Sequence, residues 1–118
     1  MLIVDDVKDV RDLLVRIVKL GGYSTLTATN GREALAAVTA HDPDLVLLDI
    51  SMPDMDGFEV LQALNAIGDG PPPVYMMTAM TDEAMRDRAL GLGAEGYFVK
   101  GDFDIDVLLD TLADRLAM

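Results

Sequence analysis

Four short apolar runs in this chain each give way to a residue able to do chemistry. Asp5 and Asp6 follow Leu2-Ile3-Val4, Asp49 follows Leu45 to Leu48, Thr78 follows Val74 to Met77, and Lys100 follows Tyr97 to Val99. If the runs are parallel strands, these residues lie along one edge of one sheet. Three carboxylates, a hydroxyl and an ammonium then share a pocket, and that set can hold a divalent cation and a phosphoryl group.

The elements that must position them are readable from periodicity. Leu2 to Val4 reads as a strand, and Val7, Val10, Leu14, Ile17 and Val18 make one apolar stripe on a helix from about Val7 to Leu20. Lys8, Asp12 and Arg16 are spaced to pair on its outer face, and Gly21-Gly22 ends it. Tyr23 to Ala28 alternates and reads as a second strand, and Asn30-Gly31 opens a helix that stops before Pro43. Leu45 to Leu48 has the unbroken apolar pattern of a strand buried on both faces. The loop Ser51 to Gly57 leads into a third helix with Phe58, Leu61, Leu64 and Ile67 inward, followed by a Gly/Pro loop from Gly68 to Pro73. Val74 to Met77 is a fourth strand, Asp82 to about Leu90 a fourth helix, Tyr97 to Val99 a fifth strand and Phe103 to Leu116 a final helix. Alternation of this kind predicts an α/β domain whose parallel sheet is covered on both faces. Right-handed crossovers put every strand C-terminus on one edge, where open α/β sheets bind ligands.

Composition narrows the function classes. The 118 residues make one domain, 1–118, with no internal repeat or linker. Cysteine is absent, which removes disulfides and thiolate chemistry, and the one histidine, His41, argues against a Ser-His-Asp triad or a histidine metal cluster. A net charge of -12 opposes direct nucleic-acid binding. No apolar stretch reaches membrane-spanning length and no signal peptide opens the chain, so a cytoplasmic location is expected and membrane association is not.

With these elements in place, the chain resembles the receiver domain of two-component response regulators along its whole length. Asp5-Asp6 resembles the acidic pair of that family, and Pro43 to Gly57 (PDLVLLDISMPDMDG) its phospho-acceptor segment. Thr78-Ala79 resembles the switch hydroxyl and its small neighbour, and Gly93 to Lys100 (GAEGYFVK) the last strand with its aromatic switch and lysine. Gly22-Tyr23 and Ala28 to Leu35 (ATNGREAL) also fit. Two positions depart from the pattern: Gly101 follows Lys100 where the family usually has proline, and Val7 replaces a frequent third acid. The resemblance implies a three-layer flavodoxin-like (βα)5 fold with strand order 2-1-3-4-5.

It also implies roles. Asp49 would be the phospho-acceptor, attacking a phosphohistidine to become an acyl phosphate. Asp5, Asp6, Asp49 and the Ser51 backbone carbonyl would hold Mg²⁺, with Mn²⁺ as a substitute and Asp6 the more direct ligand of the acidic pair. Lys100 would neutralise phosphoryl oxygens, Thr78 and Ala79 would meet the bound group, and Tyr97 would relay its presence. Ser51 and Met80 occupy positions that tune hydrolysis. The implied partners are a histidine kinase or phosphotransfer protein and an output domain or target protein, reached through the fourth helix, fifth strand and fifth helix. Pairing with a second copy on phosphorylation also belongs to the family's range. Such a domain catalyses its own phosphorylation and slow dephosphorylation but is not a turnover enzyme.

Plainer roles exist for each residue taken singly. Asp6 can cap the first helix, Asp49 a turn, Lys100 can be a solvated strand-end lysine, and Thr78 and Tyr97 can simply pack. Met76 and Met77 are expected to fill the core, while Met80 and Met85 could face a partner. Two other functions fit less well. A haloacid-dehalogenase-type phosphatase needs an Asp-x-Asp at a strand end, and the position two after Asp49 is Ser51. A degenerate receiver serving as an interaction scaffold would not need the five functional groups that are present here. The acidic last helix, with Asp104, Asp106, Asp110 and Asp114, reads as a solvated face.

Overall fold

Period-two alternation in the strands sorts the apolar residues onto the two faces of one sheet. The computed structural model describes residues 1–52, 55–67, 72–78, 83–99 and 105–116. Its strands are β1 (Leu2–Val4), β2 (Leu26–Ala28), β3 (Val46–Asp49), β4 (Val74–Thr78) and β5 (Gly96–Val99). They alternate with α1 (Lys8–Leu20), α2 (Gly31–His41), α3 (Gly57–Asn65), α4 (Glu83–Gly91) and α5 (Ile105–Leu116). All pairings are parallel and the order is β2-β1-β3-β4-β5, as expected.

Leu2, Val4, Val46, Leu48, Val74 and Met76 point to one face, where Val38 of α2, Phe58, Leu61 and Leu64 of α3 and Ala89 of α4 cover them. Ile3, Leu47, Tyr75 and Met77 point to the other, against Leu14, Ile17 and Val18 of α1 and Leu108 and Leu112 of α5. Met76 and Met77 therefore both fill core, on opposite faces. Each fully buried Leu or Ile contributes about 1.5–3 kcal/mol of transfer free energy, so the two faces together fix the sheet and hence its functional edge.

The boundaries differ from expectation in instructive places. The second strand begins at Leu26, not at Tyr23, because the end of α1 takes Tyr23 for itself. The N–H of Tyr23 donates to Val18 O and that of Gly22 to Lys19 O, with Gly22 at φ 90°. That pattern is a Schellman stop, which needs a left-handed residue and uses the following residue's N–H. Asp49 and Thr78 are the last residues of their strands and not the first beyond them. Ile67 lies past the end of α3 yet still packs on the core.

α4 is the most lightly embedded helix. Among its described residues only Ala89 is buried, with Met85 half-buried. Arg88 adds a contact across to α3, its guanidinium carbon 4.2 Å from the Phe58 ring centroid.

α2 opens with a reciprocal cap. Asn30 Oδ1 accepts from the N–H of Glu33, and Glu33 Oε1 accepts from both the N–H and the hydroxyl of Thr29. The bonds from Thr29 hold the Glu33 carboxyl below its ordinary range. A depressed carboxylate pKa contributes stability above the unfolded-state value and loses it as pH falls through the folded one. Glu33→Gln is thus expected to lower the melting temperature at pH 7, the difference from wild type shrinking toward pH 3. A difference constant over that range would argue against the charged cap.

Candidate functional site

The pocket is assembled from strand ends. Parallel pairing sets Val4 beside Leu48, Asp49 beside Met77, and Thr78 beside Val99. The chain beyond β1, the end of β3 and the end of β4 therefore open at the same edge. Asp5, Asp49 and Thr78 are buried there, 0%, 3% and 1% exposed, while Asp6 is exposed. Charged and hydroxyl side chains at such depth are uncommon in a sheet otherwise lined by Leu, Val and Met.

One carboxylate oxygen from each of Asp5, Asp6 and Asp49 lies within 4.8 Å of the other two. An octahedral Mg²⁺ with oxygen ligands at about 2.1 Å sets neighbouring oxygens about 3 Å apart and opposite ones about 4 Å apart. The spacing of the trio, within 4.8 Å, is close to that scale. Hard, anionic oxygens are the donor set such an ion takes, and the residues fit it. The acidic cluster is compatible with a metal site.

The three acids are held unequally. The backbone N–H of Asp5 donates to Ala28 O at 3.2 Å, and its Oδ1 accepts from the N–H of Val7 at 2.9 Å. Its carbonyl accepts from Arg11 Nη1 at 2.9 Å, and its Oδ2 is buried as well. Asp49 Oδ1 accepts from the N–H of Ser51 at 3.3 Å. Asp6, exposed, is the acid able to swing. It does not cap α1: the cap position is Val7, with no side-chain cap bond, and the acid that meets an N–H at that turn is Asp5.

The start of α3 is pressed onto the end of β3. The N–H of Gly57 donates to Ile50 O at 2.8 Å, and a Cβ on Gly57 would stand 2.5 Å from Asp49 O and 2.7 Å from the Ile50 Cα. In the sequence, Gly57 stands out only as the last residue of the Pro43 to Gly57 segment. Its close approach to the acid-bearing strand end is the physical reason for a residue without Cβ.

Tyr97 lies half-buried on β5 against the cluster that includes Ala89 and Met76. Ser51 is exposed, and Met52 and Met55 are half-buried beside that cluster. Lys100, Ala79, Met80 and Gly101 lie outside the described residues.

The family model of the response regulator receiver domain matches residues 1–113. The chain belongs to that family. Sporulation initiation phosphotransferase F of Bacillus subtilis is 42% identical over 118 residues, covering 100% of this chain and 94% of the relative. A probable transcriptional regulator, ycf27, of Cyanidium caldarium is 42% identical over 100 residues, or 85% of this chain, but this chain spans only 39% of its length. The receiver also superposes on the chemotaxis protein CheY4 of Vibrio cholerae with a TM-score of 0.84 and 32% identity, over 96% of this chain and 94% of that one. The five-stranded, flavodoxin-like expectation holds. Receiver domains are phospho-acceptors of two-component signalling that work with histidine kinases and output domains, and are not in general turnover enzymes. Among the described residues, no helix is long and apolar enough to cross a membrane.

Proposed function

We propose that this receiver, as one domain over 1–118, accepts a phosphoryl group on Asp49 from a histidine kinase or phosphotransfer protein, in a Mg²⁺-dependent reaction. The observation that carries the reading is the approach of Asp5, Asp6 and Asp49 to within 4.8 Å at a strand edge that also holds Thr78. An Asp49 carboxylate oxygen attacks phosphorus, the bond from phosphorus to the histidine nitrogen breaks, and an acyl phosphate remains. Asp5, Asp6, Asp49 and the Ser51 carbonyl would hold Mg²⁺, or Mn²⁺ in its place, which would supply charge neutralisation for the transfer.

The chain's own groups do the rest. Asp5 is fixed by its Val7 and Arg11 bonds, Asp6 closes from the surface, and the Ser51 carbonyl supplies a further oxygen ligand. Lys100 adds a point charge to the phosphoryl oxygens, and Thr78 with Ala79 meets them once the group has transferred. Catalysis of this type is positioning and electrostatics, which a pre-folded strand edge provides. Ser51 and Met80 occupy the positions that in this family tune hydrolysis of the acyl phosphate.

Phosphorylation adds charge and acceptor oxygens that draw Thr78 inward and bias α4 and Tyr97 toward a second arrangement. The light embedding of α4 supports its place as the moving element. The surface of α4, β5 and α5 would then be read by an output domain, a target protein or a second copy of the chain. Tyr97→Ala is expected to take up phosphoryl groups at about the wild-type rate while losing most phosphorylation-dependent partner binding, measured by phosphotransfer and pull-down on the same preparation. Loss of uptake itself would contradict the relay role.

The reading is tested by intact mass after incubation with acetyl phosphate. One added phosphoryl group with Mg²⁺, and none with a chelator or in Asp49→Asn, is the expected result. Equal uptake without divalent metal would overturn it.

A further inference from the structure

A side chain that lies outside the acidic trio holds one of its members in place. β2 ends at Ala28, and Asn30 already caps α2, so β2 turns away just where β1 runs on into Asp5. The donor that meets the Asp5 carbonyl there is Arg11 Nη1, at 2.9 Å from α1. Arg11 is half-buried, and its charge also acts on Glu33 at the start of α2 and on Asp12. It thus stands where β1, α1 and the β2–α2 turn meet.

Resting on the phospho-acceptor reading, we propose that Arg11 is a positioning residue for the metal pocket. Its guanidinium fixes the Asp5 carbonyl and thereby the direction in which the Asp5 carboxylate enters the trio. The carboxylate is itself anchored in the same β1–α1 turn, its Oδ1 accepting from the N–H of Val7. If the Asp5 peptide rotates, both anchors change together and the buried acid is aimed away from its partners. Arginine suits this post because its planar fork gives a directed N–H while its charge stays on the flank of the pocket. Two effects oppose each other. A cation near the trio repels an incoming Mg²⁺, whereas a fixed Asp5 needs no ordering when the ion binds. Arg11 donates to a backbone carbonyl and is open to solvent on one side, so its charge is screened and the positional effect prevails.

The test is Mg²⁺ affinity by calorimetry, using magnesium chloride alone, on wild type, Arg11→Met, Arg11→Lys and Asn30→Ala. Outer partners of metal ligands commonly contribute at least about tenfold in affinity, so Arg11→Met is expected to bind Mg²⁺ about tenfold more weakly. Arg11→Lys, with the charge but not the fork, is expected to recover less than half of that loss on a logarithmic scale. Asn30→Ala, which loses only the neighbouring helix cap, is expected to bind like wild type at a lower melting temperature. Unchanged or tighter binding in Arg11→Met, full recovery in Arg11→Lys, or an equal loss in Asn30→Ala each overturns the positioning role. Absence of Mg²⁺ binding in wild type would overturn the phospho-acceptor reading, and the Arg11 role with it.

Discussion

Asp49→Asn is expected to raise the melting temperature of the metal-free protein by about 8 °C. Two unit charges within 4.8 Å of each other repel by at least about 3.5 kcal/mol at an effective dielectric near 20. Asp5 and Asp49 are both buried, so their repulsion is the pair least relieved by solvent, while the exposed Asp6 is screened. Asparagine removes one charge and can still accept the Ser51 N–H through its carbonyl oxygen. After screening, a net gain of about 2 kcal/mol is reasonable, and near 120 residues each kcal/mol moves the midpoint by about 4 °C. Saturating Mg²⁺ should then stabilise wild type more than the variant, narrowing or reversing the gap. A metal-free variant that melts at or below the wild-type temperature would show that the three acids do not repel as their spacing implies.

Gly57→Ala should have the opposite sign and a similar size. The new Cβ would meet the Asp49 carbonyl at 2.5 Å and the Ile50 Cα at 2.7 Å, and backbone atoms yield far less easily than a side-chain tip. Overpacking of this kind costs about 1–3 kcal/mol, and contact with backbone on two residues places it near the top of that range. A loss of about 3 kcal/mol, or about 12 °C, is expected, together with slower phosphoryl uptake because the displaced atoms carry Asp49. Gly91→Ala is the matching control: nothing lies within 4 Å of its added Cβ, and alanine favours the helix by up to about 1 kcal/mol. Equal stability changes in the two variants, by chemical denaturation, would contradict the steric argument.

The parts of the fold that sequence made legible are those where periodicity is strong. β1, β3 and β4 are unbroken apolar runs, and their buried neighbours on α1 and α3 recur at helical spacing, so the parallel sheet and the pocket edge followed, while the strand order came only with the family resemblance. Asp5, Asp6, Asp49 and Thr78 were visible because each breaks an apolar run at its end. β2 was overextended because Tyr23 and the residues after it alternate like a strand, although the stop of α1 uses the Tyr23 N–H. Arg11 gave no signal of its own. Lys8 and Asp12 show their pairing by spacing, and the structure joins them at 2.7 Å. A side chain reaching a backbone carbonyl six residues earlier has no pattern to read. The stacking of Arg88 on Phe58 likewise joins residues 30 apart that only the fold brings together.

The most direct test of Asp49 as the phospho-acceptor is chemical trapping. Protein treated with acetyl phosphate and Mg²⁺ would be reduced with borohydride, which converts an aspartyl phosphate to homoserine, and then mapped by peptide mass. Homoserine at position 49, absent when Mg²⁺ is chelated, is the expected result. Homoserine at Asp5, Asp6 or any other aspartate, with Asp49 intact, would contradict it.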